Sequence, residues 1–281
     1  MTLAVFALAL GFVVVFGALI GSFLNVVVYR VPAGRSIVSP PSACGSCGTE
    51  IKPYDNVPVL SWLVLRGRCR SCRGAISVRY PLVEAATGVA FAVVAWWFWA
   101  GPQAPAEPTG AALAAGVLEV VAYLYLAAIS IALALIDLDT HRLPNTIVLP
   151  SYLVGAALLG TASALTGDWG ALLGAAIGGA VLYGGYLLLA LVYPGGMGFG
   201  DVKLAGVLGV FLGYLGWGPL IIGGFAPFVL GGVFALVLLA ARRARKGSGI
   251  PFGPWMLAGA WLGVLAGPTI WNAYLALLGL A

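Results

Sequence analysis

The chain has 281 residues, 62% of them hydrophobic and 8% charged, with a formal net charge of +5. A soluble domain carries roughly 25% charged residues, so the polar surface here is too sparse to coat a water-exposed globule, and lipid is the expected solvent. The positive balance does not point to nucleic acid, because the placement of the basic residues follows membrane topology.

The apolar stretches read as about eight transmembrane helices, over residues 3–29, 81–100, 112–136, 146–166, 170–193, 203–217, 218–240 and 253–279. The first runs too long without a basic leader or cleavage site to be a cleavable signal peptide. The sixth is short, and only Gly216–Trp217–Gly218–Pro219 separates it from the seventh. The predicted class is an all-α polytopic membrane protein. It divides into a first helix (1–29), a small zinc-ribbon-like segment (30–80) and a helical bundle (81–281).

Residues 30–80 form the one sizeable polar stretch and hold all four cysteines, as Cys44-Gly-Ser-Cys47 and Cys69-Arg-Ser-Cys72. Each CxxC turn can present two thiolates to one ion, and two turns complete a tetrahedron. Structural Zn²⁺ is the expected occupant, since four thiolates leave no open position for catalysis and a small segment gains from a metal staple. Disulfides are the poorer reading for a segment in a reducing compartment.

Eight of the fourteen Lys and Arg residues lie in 30–80, with the others at Arg142, Lys203 and Arg242–Lys246. With eight alternating spans, all of these fall on one side, and the loops around 101–111 and 167–169 hold none. The positive-inside bias makes the basic side cytoplasmic and the N-terminus external. An inner-membrane protein in contact with lipid headgroups follows.

Acidic residues near a bilayer are costly enough to need a reason. Glu107 and Asp168 fall in outer loops, where solvation suffices. Asp137 ends the apolar run Ile131–Ile136 at the cytoplasmic end of the third span. Asp201 closes Gly198-Phe-Gly200-Asp201 at the cytoplasmic start of the sixth. Gly198 and Gly200 leave room for another chain to approach. Two carboxylates brought together at that depth suit aspartyl protease chemistry: one holds a proton and polarises a carbonyl, and the other activates water. The bland alternative is a helix cap for Asp201 and an interfacial residue for Asp137. His141, four residues after Asp137, reads as a local hydrogen-bonding partner, and Asp139 as solvated or paired with Arg142. Glu119 belongs near the outer face as a hydrogen-bonded structural residue. Glu84, one turn into the second span, either borders the active site or pairs with a cation such as Arg79. No HExxH or GxSxG occurs.

Several motifs recur in order along nearly the whole chain: Gly21-Ser-Phe-Leu-Asn-Val-Val-Val-Tyr-Arg30, the paired CxxC, Asp55-Asn-Val-Pro-Val-Leu-Ser-Trp62, Tyr80-Pro-Leu-Val-Glu84, Leu143-Pro-Asn145 after Asp137, Gly196–Leu204, and Ile250-Pro-Phe-Gly-Pro254. In these the chain resembles the type IV prepilin peptidases, including those of type II secretion. The resemblance implies Asp137 and Asp201 as the catalytic pair, and prepilins or pseudopilins as substrates. The short basic leader would be cut on the cytoplasmic side after a glycine. It also implies a second activity, S-adenosylmethionine-dependent N-methylation of the new N-terminal residue, usually phenylalanine. Lys203 is a candidate for steering an acidic substrate residue. The competing class is a transporter with intramembrane carboxylates, which predicts internal repeats and charges near mid-bilayer; neither is evident.

Overall fold

The structure, a computed structural model, describes residues 3–101, 110–241 and 251–280. Glu107, the basic cluster Arg242–Lys246 and Ile250 lie outside the described residues. The described residues form nine α-helices and no strand: α1 (Leu3–Arg30), α2 (Leu60–Val64), α3 (Arg79–Trp99), α4 (Gly110–Thr140), α5 (Asn145–Thr166), α6 (Trp169–Val192), α7 (Phe199–Tyr214), α8 (Trp217–Ala240) and α9 (Gly253–Leu277). Six of these, α1, α3, α4, α5, α6 and α8, are long and apolar enough to cross a membrane. Of the eight spans expected, α7 has 16 residues, about 24 Å of helix. In α9 the apolar residues are diluted by glycine, proline, tryptophan and Asn272.

The chain divides into two compact units, Met1–Glu107 with Tyr123–Ala132, and Pro108–Ala122 with Leu133–Ala281, so α4 contributes residues to both. In the first unit α1 and α3 run antiparallel at close range. Gly17 lies against Gly88 and Phe91, and a Cβ on Gly21 would fall 2.7 Å from Glu84 Cα. Only a glycine lets the backbones meet there. Between these helices the polar segment is closed by Arg30, whose guanidinium donates to Ser36 O at 3.0 Å and Pro40 O at 2.7 Å. The Trp62 indole N–H donates to Ile76 O at 3.1 Å.

The second unit is built around α7. Val202, Leu204, Val207, Phe211 and Leu212 are all buried, as expected of a helix that is apolar all round and packed on every side; α5, α6, α8 and α9 all contact it. The tightest approach is to α6, where Gly174 and Gly178 meet Gly209 and Gly213 backbone to backbone. This is a GxxxG pattern on both partners. It fixes α7 in depth and rotation, and with it the side chain that α7 carries in its first turn.

Helix limits follow the apolar runs with two exceptions. The third span continues to Thr140, one turn past Asp137, and ends where His141 takes φ 52° and its N–H donates to Asp137 O. Asp137 therefore lies inside α4. The sixth span begins at Phe199, so Asp201 occupies its first turn. The junction with α8 falls at Gly216, φ 111°, where glycine is required.

Candidate functional site

Asp137 is buried within α4, and its Oδ2 accepts a hydrogen bond from the Gly253 N–H at 3.0 Å. Gly253 is the first residue of α9, and its N–H is one of those a helix start leaves without an internal partner. Asp201 is half-buried, and its Oδ2 accepts from the Gly198 N–H at 3.1 Å. Gly198 caps α7, so Asp201 reaches back to the residue before its own helix. Each carboxylate thus sits at a helix N-terminus, where the unpaired N–H groups and the helix dipole stabilise negative charge.

Leu143 links the two positions. A Cβ on Gly200 would lie 3.1 Å from Leu143 Cβ, and one on Gly253 would lie 3.4 Å from Leu143 Cδ2. Leu143 thus packs against the start of α7 and the start of α9, the two segments that hold the carboxylates. No hydrogen bond joins the two carboxylates directly. Each uses Oδ2 on a glycine N–H, and neither Oδ1 has a hydrogen-bond partner among the described residues. A Cβ on Gly253 would also fall 2.6 Å from Asp137 Oδ2. Gly253→Ala is therefore expected to displace that carboxylate, and a misplacement near 1 Å costs about 10²-fold in any reaction the group takes part in. The thermal midpoint should stay near that of the parent, and the check is product formation beside a melting curve.

The other predicted residues separate. Lys203, two residues beyond Asp201 and so on the far side of α7, donates to Asn145 Oδ1 at 3.0 Å and lies 4.7 Å over the Phe199 ring. With Leu149, Tyr152 and Tyr183 it lines a cavity of about 400 Å³. Glu119 accepts a hydrogen bond from the Tyr214 hydroxyl at 3.0 Å, as a structural carboxylate should. Asp168 caps α6 through the Ala171 N–H. Glu84 belongs to the first unit, and its Oε2 accepts from the Val59 N–H at 2.7 Å. Its bond is thus to backbone, not to a cation. Two contributors escaped the sequence reading, the Gly253 N–H and the Leu143 bridge. Gly253 lies in the motif Ile250–Pro254, but a backbone donor has no side-chain signature.

The four cysteines converge, with all their Sγ atoms within 4.8 Å of one another. Tetrahedral thiolates about 2.3 Å from a zinc ion would be ~3.8 Å apart, and Cys44 Sγ and Cys72 Sγ are 3.8 Å apart. The two turns repeat one design. Cys44 N–H donates to Thr49 O and Gly48 N–H to Cys44 O; Cys69 N–H donates to Gly74 O and Arg73 N–H to Cys69 O. Isolated bridges, Ala43 to Glu50 and Arg68 to Ala75, close both.

The turn N–H groups also act on the thiols. Those of Ser46 and Cys47 hold the Cys44 thiol below its usual range, and those of Cys72 and Ser71 do the same for Cys69. The Thr49 hydroxyl lowers Cys47. Cys72 goes the other way: the Gly74 N–H pulls it down, but crowding by the other thiols, Cys47 first, pushes it up to about 11. A dication at the centre would relieve that crowding.

The repeat differs at one point. Where the first turn has Gly48 at φ 71°, the second has Arg73 at φ 61°. Arg73→Gly is expected to stabilise this segment by about 1 kcal/mol, measurable as a raised denaturation midpoint. Beside the cluster, the Arg70 guanidinium grips Asp55 through Nε at 2.8 and 3.0 Å and holds its carboxyl below the usual carboxylate range.

Fold and site define a multi-pass helical membrane protein with two carboxylates at helix N-termini and a four-cysteine cluster. The bacterial peptidase A24 N-terminal domain matches residues 15–98, and the type IV leader peptidase family matches residues 124–236. The prepilin leader peptidase/N-methyltransferase of Pseudomonas aeruginosa is 36% identical over 95% of this chain and 93% of its own length. The proteins of the same name from Pseudomonas putida (37%, covering 94% and 93%) and Neisseria gonorrhoeae (34%, covering 92% and 91%) align as fully. No solved structure matches the chain. The chain belongs to the type IV leader peptidase family.

Proposed function

We propose that this chain removes the short basic leader of type IV prepilins or pseudopilins and methylates the amine so exposed. Asp137 and Asp201 form the peptidase dyad. The ionised member takes a proton from a water whose oxygen attacks the scissile carbonyl carbon. The protonated member donates to the carbonyl oxygen, and the proton taken from water passes to the leaving amine as the C–N bond breaks. The titration belongs to the pair, so neither residue has a fixed role. The carrying observation is that both carboxylates are fixed through Oδ2 by a glycine N–H, leaving both Oδ1 atoms for the reaction. Gly198 keeps a Cβ away from Asp201 Oδ2, and Gly200 lets Leu143 pack against the start of α7.

The basic side of the inner membrane is the cytoplasmic one in this reading, with the N-terminus outside. Zn²⁺ held by Cys44, Cys47, Cys69 and Cys72 is structural, with its coordination closed. S-adenosylmethionine supplies an electrophilic methyl group when bound. The test is to incubate the purified protein with a prepilin, with and without S-adenosylmethionine, and to weigh the products. Loss of the leader without the donor, and a further 14 Da (one CH₂, by ordinary atomic masses) with it, is the expected result. An intact prepilin overturns the reading.

A further inference from the structure

The helices α5 and α6 are joined at Gly167 and Asp168 and meet near that turn, where a Cβ on Gly160 would touch Leu172. Both pack on α7, and toward their other end they leave a gap over it. Leu149 and Tyr152 of α5, Gly179, Ala180 and Tyr183 of α6, and Lys203 of α7 line that gap, a cavity of about 400 Å³. The volume lies within the ~300–1,000 Å³ of pockets that take small ligands. The peptidase chemistry does not use it, because Lys203 faces away from Asp201 around α7.

The lining runs from a charged mouth to an apolar floor. Lys203 is one turn inside the start of α7, and the Tyr152 hydroxyl pins its backbone by donating to Lys203 O at 2.7 Å. Gly179 lies deeper: a Cβ there would fall 2.8 Å from Val210 Cγ2, about 10 Å further along α7. At the mouth, the half-buried Lys203 ammonium donates to a neutral amide oxygen, Asn145 Oδ1, and lies over the Phe199 ring. No carboxylate pairs with it among the described residues. An ammonium carries three donors, and one withdrawn from water without a counter-ion favours an anion.

We infer that this cavity binds one anionic phospholipid, its headgroup phosphate on the Lys203 ammonium and one acyl chain laid along α7 between α5 and α6. The charge sits near the helix ends and the apolar floor toward the bilayer centre, which is how a lipid is itself oriented. A free anion would satisfy the cation but leave the floor empty. A peptide held at Asp201 meets the opposite side of α7, so lipid is the nearer source of negative charge.

The experiment titrates the full chain in detergent with dioleoyl phosphatidylglycerol or dioleoyl phosphatidylcholine and counts retained lipid by native mass spectrometry. The parent is expected to hold one phosphatidylglycerol about five-fold more tightly than phosphatidylcholine. Lys203→Gln should abolish that preference and Lys203→Arg should keep it. Ala180→Phe, placed on an exposed position of α6, should fill the floor and weaken both lipids alike. Arg142→Gln removes the same charge from an exposed site outside the cavity and should leave the preference intact. Melting curves beside each titration identify any variant that fails to fold.

A preference that survives in folded Lys203→Gln overturns the site, as does one lost equally in Arg142→Gln, which would make it a property of net charge. Displacement of the lipid by millimolar inorganic phosphate makes Lys203 a free-anion site and overturns the acyl-chain assignment. Displacement by a leaderless pilin peptide with an acidic residue, but not by its amide counterpart, gives the cation to the substrate and overturns the lipid.

Discussion

Asp137→Asn and Asp201→Asn, made singly, are each expected to lower leader cleavage by at least about 10³-fold while the protein still inserts and melts as before. Asparagine has nearly the same shape, and its amide oxygen can still accept from Gly253 or Gly198, so the anchors at 3.0 and 3.1 Å survive. What is lost is the ability to gain or lose a proton. With one neutral amide, no partner remains to share a proton with, and water at the site cannot be activated. Asp139→Asn supplies the contrast: Asp139 lies on the exposed end of α4, and its neutralisation is expected to leave most cleavage in place. Prepilin processing followed by mass spectrometry reads all three. Near-parental cleavage by either of the first two would remove the dyad from the mechanism.

The second large effect concerns packing. Gly178→Val, or Gly209→Val on the facing helix, is expected to cost at least about 3 kcal/mol and to leave little folded protein. A Cβ at either position would overlap backbone of the partner helix rather than the tip of a mobile side chain. Rotamer changes therefore give no escape, and α6 and α7 must separate. Since α7 carries Asp201 in its first turn, cleavage should be lost with the fold. Gly184→Ala is the control, since nothing lies within 4 Å of a Cβ there. Unfolding midpoints in denaturing detergent separate the cases.

Chemistry that resides in side chains was legible from the sequence. Four thiols in two CxxC turns announce a cluster before any coordinates, and two acids at the ends of apolar runs announce themselves because lipid tolerates few of them. The limits of α4 and α7 were less legible, because a charged residue ends an apolar run without ending a helix. Leu138, Asp139 and Thr140 continue the backbone hydrogen bonding of α4 on its exposed end, and His141 stops it by conformation. Least legible were the groups that belong to the main chain. The Gly253 N–H, the Val59 N–H and the left-handed turn at Arg73 carry no residue-type signal, since a backbone donor is common to nearly every residue.

The brevity of α7 has a consequence for its neighbours. A hydrocarbon layer of roughly 30 Å outlasts a 24 Å helix by about 6 Å, so the helices packed around α7 must shield the chain that flanks it. Irregular backbone at that level persists only where protein shields it or water wets it. The Gly198 N–H is satisfied by Asp201 itself. The carboxylate of the proposed dyad that α7 carries is thereby fastened to the very end of a helix shorter than the layer around it.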